Sequence, residues 1–195
     1  MNKRSGHETK KRIIEAAIKV FSEYGYNGAT IRMIAKEAKL SVGCVYLYFK
    51  NKEELSLYLL REKMKELQER IRNNLKNLKS PDEIIKKYLT VALQFARENR
   101  ELIIMQSKEQ GFTFGIEIKR EFFMKEKAFL TGVINEGINS GIFRSCNSEE
   151  LSKLIMNIIR GYVLSVVVDQ ENLIETDATI DFIFNGILKK KEVKD

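Results

Sequence analysis

Apolar residues recur every three or four positions along nearly the whole chain, and no segment shows the two-residue alternation of a strand. The spacing predicts nine helices. The first runs from about Glu8 to Tyr24, with Ile13, Ala16, Ala17, Val20 and Phe21 on one face, and GYNG (Gly25–Gly28) ends it. Thr30 is placed to cap a second helix whose inner face is Ile31, Ile34, Ala35 and Ala38, and Ser41 caps a third. Asn51 followed by Glu54 reads as a capping-box-like start to a fourth. Its apolar stripe continues through Leu60, Met64, Leu67, Ile71, Leu75 and Leu78. Ser80-Pro81-Asp82-Glu83 opens a fifth helix: Ser at the cap, Pro at the first helical position and acids in the first turn. That helix reaches about Glu98, and a short sixth covers Leu102 to Lys108. GFTFG (Gly111–Gly115) breaks the pattern. A seventh helix then runs from about Glu117 to Asn139 and stops at Gly141. Asn147 with Glu150 opens an eighth, to about Asp169, and Asp177 opens a ninth that ends in Lys189-Lys190-Lys191.

Composition supports an all-α fold. A single proline, few glycines and abundant Leu, Ile, Lys and Glu suit helices. Hydrophobic content of 44% beside 31% charged residues is that of a chain able to bury a core. The most apolar run, Leu154–Val168, is interrupted by Asn157, Arg160 and Ser165 and reads as a buried helix. The basic start, MNKRSGHETKKR, has no apolar stretch behind it, so the expected location is cytoplasmic. Cys44 and Cys146 lack metal-ligand spacing and are expected to be reduced thiols. No cofactor or metal site is expected.

Charge is distributed unevenly. Residues 1–52 hold 11 Lys+Arg against 4 Asp+Glu, whereas residues 53–195 hold 23 of each, so the whole net charge of +7 sits in the first quarter of the chain. A basic module on a neutral body points to a polyanionic partner. A solubilising lysine tail would not account for Arg32, Lys36, Lys39, Lys50 and Lys52, which lie beyond the tail.

Within that module, Lys39-Leu40-Ser41 joins two short helices through small and apolar contacts, Ala35, Ala38, Leu40, Val45 and Phe49. This is the pattern of a helix-turn-helix, whose second helix enters the major groove of DNA. Val45 and Phe49 are four apart and face inward, which leaves Val42, Gly43 and Tyr46 outward and Tyr48 on the flank. The two tyrosine hydroxyls suit phosphate oxygens, and Gly43 permits close approach. Lys52 lies in the first turn of the fourth helix, where free backbone N–H groups favour an anion.

Residues from about 9 to 55 resemble the DNA-binding domain of the TetR family of bacterial transcriptional regulators. The resemblance rests on Thr30, Ile34, Ala35, Ala38, Leu40, Ser41, Val45, Tyr46, Phe49, Lys50, Lys52, Glu53 and Leu55, with Phe21 and Gly25 in the first helix. Glu136-Gly137-Ile138 and Gly141-Ile142-Phe143 resemble the usual end of the seventh helix. The resemblance implies phosphate contacts at Tyr46, Tyr48 and Lys52. It implies base-edge contacts at Arg32 and Val42, with Thr30, Ser41, Gly43, Cys44 and Leu47 close by. A guanidinium at Arg32 suits guanine, whereas Val42 suits only a thymine methyl. Two positions depart from the family pattern. Lys39 stands where Gly is usual, at a cost of about 1–2 kcal/mol if the backbone there is left-handed. Cys44 stands where Thr, Ser or Ala is usual, as a packing residue or a thiol open to redox control.

The resemblance implies a nine-helix TetR-like architecture. A three-helix DNA-binding domain covers residues 1–52, with its helix-turn-helix at about 30–49, and residues 53–195 form a ligand-binding and dimerisation domain. Tyr88, Phe95, Met105, Phe112, Phe114, Phe122 and Phe123 are candidate lining for an apolar ligand pocket, though most such residues serve as core. Ile155, Ile158, Ile159, Tyr162 and Val166, with Ile180, Ile183, Phe184 and Ile187, are the candidate faces of a homodimer. The expected function is a ligand-responsive regulator, read as a repressor, that binds a palindromic operator as a dimer and is released by a small, largely apolar effector. An enzyme is not expected: the one histidine, His7, lies in the tail, and no P-loop or dinucleotide fingerprint is present. The remaining rival is a nucleic-acid module without sequence preference.

Overall fold

A computed structural model of the chain describes residues 3–111 and 113–169, together with 177, 178, 180, 181 and 184. Among the described residues there is no strand. Eight α-helices follow in order: α1 (Lys3–Gly28), α2 (Ile31–Glu37), α3 (Val42–Tyr46), α4 (Lys52–Leu75), α5 (Pro81–Glu98), α6 (Arg100–Met105), α7 (Ile116–Asn139) and α8 (Ser148–Val168). A π turn, Gln106–Gln110, follows α6 directly, where the expected sixth helix was a single element to Lys108. The expected ninth helix falls mostly outside the described residues; the five described there are helical. The first helix is longer at both ends than expected. Its interior is interrupted at Gly25 (φ 69, ψ 175), the residue that the GYNG stop predicts.

The chain forms two compact units, one of Met1–Lys65 with Glu101–Ile118 and the other of Glu66–Arg100 with Lys119–Asp195. The first therefore extends past residue 52 and takes in a segment remote in sequence. Its core is the inner face of α1 (Ile13, Ala17, Phe21), α2 (Ile34, Ala35), Val45 and Phe49, Leu55 and Leu59 of α4, and Met105. Capping follows the sequence closely. Thr30 Oγ1 accepts from Met33 N–H at 3.2 Å and Ser41 Oγ from Cys44 N–H at 3.1 Å. Asn51 Oδ1 accepts from Glu54 N–H, and the Glu54 carboxyl returns to Lys50 N–H, each at 2.7 Å. These bonds satisfy amides that a helix start otherwise leaves free.

In the second unit, α5 packs against α8, with Ile85, Leu89, Leu93, Leu130, Ile134 and Ile155 fully buried. Asn147 Oδ1 caps α8 through the N–H groups of Glu149 and Glu150, at 3.1 Å each. The Ser80 hydroxyl makes no such cap at α5 and bonds Asp82 instead. Among the described residues α8 is long and apolar enough to cross a membrane by composition, and 33% of its apolar 18-residue stretch is packed inside the protein.

A polar group interrupts this core. Glu126, 8% exposed, accepts from Gln68 Nε2 at 3.2 Å and bonds the hydroxyl of Tyr88, which also lies 3.8 Å from Met156 Sδ. Burial raises the Glu126 pKa above the usual carboxylate range, against the opposing pull of those bonds and of Arg72. Between the unfolded glutamate value, about 4.3, and the raised folded value, the native protein keeps a proton that the unfolded chain has lost. Stability therefore falls as pH rises through that window, at up to about 1.4 kcal/mol per pH unit. Urea midpoints taken from pH 4 upward should show Glu126→Gln gaining on the wild type across the window, and parallel curves for the two proteins would contradict this.

Lys39 is the one non-glycine residue with positive φ among those described, at 54°. The left-handed backbone that the resemblance implied is thus present at the turn between α2 and α3. Arg12 supports it by donating from Nη2 to Ala38 O at 2.6 Å and to Lys39 O at 3.2 Å. Lys39→Gly should remove the strain and raise unfolding free energy by about 1 kcal/mol, read as a higher urea midpoint; a lower midpoint would be the contrary result.

Candidate nucleic-acid interface

Helix α3 has five residues, and its geometry follows from which of them are buried. Val45 is 0% exposed and Phe49, just past its end, 2%. Both point into the first unit's core, so the opposite side of the helix is outward by necessity. There Tyr46 is 51% exposed and Leu47 77% exposed. Gly43 is exposed with open space where a Cβ would stand. Exposed aromatic and aliphatic side chains of this size on a short, well-fastened helix are not needed for packing.

The starts of three helices meet beside them. Thr30 and Arg32 from α2, Val42 and Tyr46 from α3, and Asn51 and Lys52 at the head of α4 line one open groove of about 440 Å³, floored by Ala29 and Ile31. Five of the ten expected DNA-binding positions are thereby gathered in one place: Thr30, Arg32, Val42, Tyr46 and Lys52. Ser41, Gly43, Cys44 and Leu47 lie on or next to α3, with Ser41 acting as its cap and the Cys44 thiol free and half-buried. Arg32, which lines the groove, is exposed, as are Lys36, Lys39 and Lys50 of the same unit.

Two expected phosphate contacts are oriented differently. The Lys52 ammonium turns back onto the end of α1, donating to Tyr26 O at 2.5 Å and Ala29 O at 2.8 Å and sitting 4.3 Å from the centre of the Tyr26 ring. A cation is favoured there because the carbonyls at the end of α1 carry partial negative charge. The Tyr48 hydroxyl is buried without a hydrogen-bond partner, beside Gly6 of α1. Other cations are also engaged internally. The Lys10 ammonium stands 3.9 Å from the centre of the Tyr58 ring, and Lys19 pairs with Glu37 at 2.6 Å.

The candidate ligand residues do not form one group. Met105 belongs to the core of the first unit, with the helix-turn-helix, rather than to a pocket lining. Phe114 is half-buried and also in that unit, and Phe112 lies outside the described residues. Tyr88, Phe95, Phe122 and Phe123 fall in the second unit. Phe122 and Phe123 meet edge to face, with ring centres 5.5 Å apart, and the Arg160 guanidinium lies 4.2 Å from the Phe123 ring centre. Of the candidate dimer residues, Ile155, Ile159, Tyr162, Val166 and Ile180 are buried within their own chain. Ile158 and Phe184 are half-buried, and Ile183 and Ile187 lie outside the described residues. Periodicity shows that such residues share a helix face, but not which neighbour takes that face. Among the described residues no cluster of His, Cys, Asp or Glu is arranged for a metal.

Residues 13–59 match the profile of bacterial regulatory proteins, tetR family. The HTH-type transcriptional regulator YuxN of Bacillus subtilis is 37% identical over 58% of this chain, which covers 39% of that relative's length. The fatty acid metabolism regulator protein of B. subtilis is 26% identical over 92% of this chain and 95% of its own. The crystal structure of the transcriptional regulator FadR from B. subtilis, in complex with stearoyl-CoA, superposes with a TM-score of 0.70 at 27% identity, covering 90% of this chain and 95% of that one. These relatives are named as transcriptional regulators, not enzymes. Over residues 13–59 the chain is thus similar to the tetR family of bacterial regulatory proteins, and its longer likenesses are to regulators.

Proposed function

We propose that the chain is a ligand-controlled repressor that binds a palindromic operator as a homodimer. The observation that carries this reading is the groove where α2, α3 and α4 begin, with Tyr46 and Arg32 at its edge. In a two-fold dimer the two α3 helices would stand about 34–36 Å apart, one turn of DNA. The functional division places DNA binding in residues 1–52 and effector binding with dimerisation in residues 53–195. The effector presents a largely apolar part to the protein. Likeness to a regulator bound to stearoyl-CoA supports a long-chain acyl thioester. Effector and operator oppose each other through a coupling of about 1–3 kcal/mol, with α4 as one lever because it starts at the groove.

Within the groove, gripping and reading fall to different residues. The Tyr46 hydroxyl suits a phosphate oxygen, and the Arg32 guanidinium suits a guanine edge. Val42 and Leu47 contribute apolar contact, with Thr30, Ser41, Gly43 and Cys44 alongside. Lys52 and Tyr48 act first by holding α1, α3 and α4 together. Their groups reach phosphate only by leaving the positions described above.

The dimer surface follows from what α8 leaves outside. Leu154, Gly161, Leu164 and Val168 are exposed and Ile158 half-exposed, spaced along one stripe of the helix. An apolar stripe of this kind suits pairing with its copy.

The reading is tested by selecting duplexes from a random pool. A palindromic site should be enriched, its affinity should fall steeply with salt, and stearoyl-CoA should release it. Failure to enrich any sequence, or salt-independent binding, would overturn it. On the selected site Tyr46→Ala should weaken binding to all sequences alike. Arg32→Ala should relax preference at one base pair, by about 1–3 kcal/mol, and equal loss of preference in both would break the division. Leu154→Glu with Leu164→Glu should shift sedimentation from dimer to monomer with helicity retained, whereas an unchanged dimer would exclude this face.

A further inference from the structure

The outer side of α3 carries almost no hydrogen-bonding groups. Leu47 closes the helix in right-handed geometry (φ −69°, ψ −22°), and its N–H donates to Gly43 O at 3.2 Å. Gly43 and Leu47 therefore stand one turn apart on one face, with Tyr46 beside them. A helical side chain leans over the turn that precedes it. For Leu47 that turn offers Gly43, where open space stands in place of a Cβ. Leu47 is 77% exposed, the most exposed large apolar side chain among the described residues.

The side chains of α3 limit what the helix can recognise. Of Val42, Gly43, Cys44, Val45, Tyr46 and Leu47, only Cys44 and Tyr46 carry a polar side-chain atom. The Cys44 thiol is half-buried, and a thiol is a weak donor. The Ser41 oxygen, just before the helix, accepts the Cys44 N–H. Base edges in the major groove present donors, acceptors and one apolar group, the thymine methyl. Leucine has no means of pairing with the first two. The same unit bears the charge excess of residues 1–52, 11 Lys+Arg against 4 Asp+Glu, and exposes Arg32 at the start of α2. Such charge suits a polyanion over this exposed leucine better than an apolar protein surface.

We propose that Leu47 is a thymine reader, packing on the C5 methyl of a thymine in the major groove. On this assignment α3 reads its half-site by apolar contact, and hydrogen-bonded reading falls to Arg32 on α2. Gly43 leaves room for the base edge beside Leu47. The assignment rests on the DNA-binding reading given above and adds to it the base that α3 selects.

Uracil pairs with adenine as thymine does and differs only in lacking the methyl group. The test uses the full chain and the duplex recovered by selection, with each thymine replaced in turn by uracil. For the wild type, replacement at one position in each half-site should weaken binding about fourfold, the effect of leaving one methyl group unburied. Leu47→Ala should bind the thymine duplex more weakly and lose the distinction between thymine and uracil at that position alone. Its melting temperature should match the wild type, because Leu47 contacts little of its own chain. Comparing both proteins on both duplexes separates the methyl contact from any change in the stiffness of the DNA. A selected site without thymine, a wild type indifferent to uracil at every position, or wild-type uracil sensitivity in Leu47→Ala would each overturn the assignment. If the wild type selects no duplex, the DNA-binding reading fails and the assignment falls with it. Indifference to uracil on a selected duplex removes the thymine assignment alone.

Discussion

The helix that presents Tyr46 and Leu47 is five residues long, far too short to persist in water by itself. It is held by Val45 and Phe49, whose side chains are almost wholly buried against α1, α2 and the first turns of α4. Ser41 fixes where it begins, and the left-handed backbone at Lys39, braced by Arg12, fixes how the chain enters it. Every outward feature of the groove depends on this inward packing. Once Val45 and Phe49 are committed to the core, helical geometry leaves Gly43 and Tyr46 facing away from it, while Val42, three residues before Val45, is half-buried against it instead of outward as expected. The exposed side of α3 is held in place because it is the reverse side of a core.

The positive charge of this unit divides along similar lines. Arg12, Lys10, Lys19 and Lys52 are each occupied within the protein: on the carbonyls ending α2, on an aromatic ring, on Glu37, and on the carbonyls ending α1. Arg32, Lys36, Lys39 and Lys50 remain exposed. Counting basic residues therefore overstates the number available to a polyanion. Helix ends with uncapped carbonyls attract cations, and in a module of short helices such ends are numerous. Part of the basic charge holds the module together, and the rest faces outward.

The second unit shows the opposite emphasis. Among the described residues its core is mostly apolar, interrupted by Glu126 with Gln68 and the Tyr88 hydroxyl and by Ser152 with Thr131, and its surface bears a stripe of leucine and valine on α8. A helix apolar on most of its circumference can pack on its own chain with one face and on a partner with another. The residues expected at a partner surface, Ile155, Ile159, Tyr162 and Val166, are the ones taken inside. Nothing in their spacing distinguishes them from Leu154, Ile158, Leu164 and Val168.

Much of this protein was legible without coordinates. The all-α class, the positions of eight helices, the caps at Thr30, Ser41, Asn51 and Asn147 and the inward pair Val45 and Phe49 follow from local rules. Periodicity, cap chemistry and the special needs of a left-handed residue act over a few positions and leave their mark in the sequence. The tertiary structure decided the rest. It turned the Lys52 ammonium onto α1, buried the Tyr48 hydroxyl, assigned Met105 to the core of the first unit and chose which face of α8 to bury. It also brought Glu109 to Asn27 across 82 positions of sequence. The physical reason is that these outcomes are competitions between distant surfaces for the same side chain. A residue's type limits the partners it can accept, but only the folded arrangement determines which one is within reach.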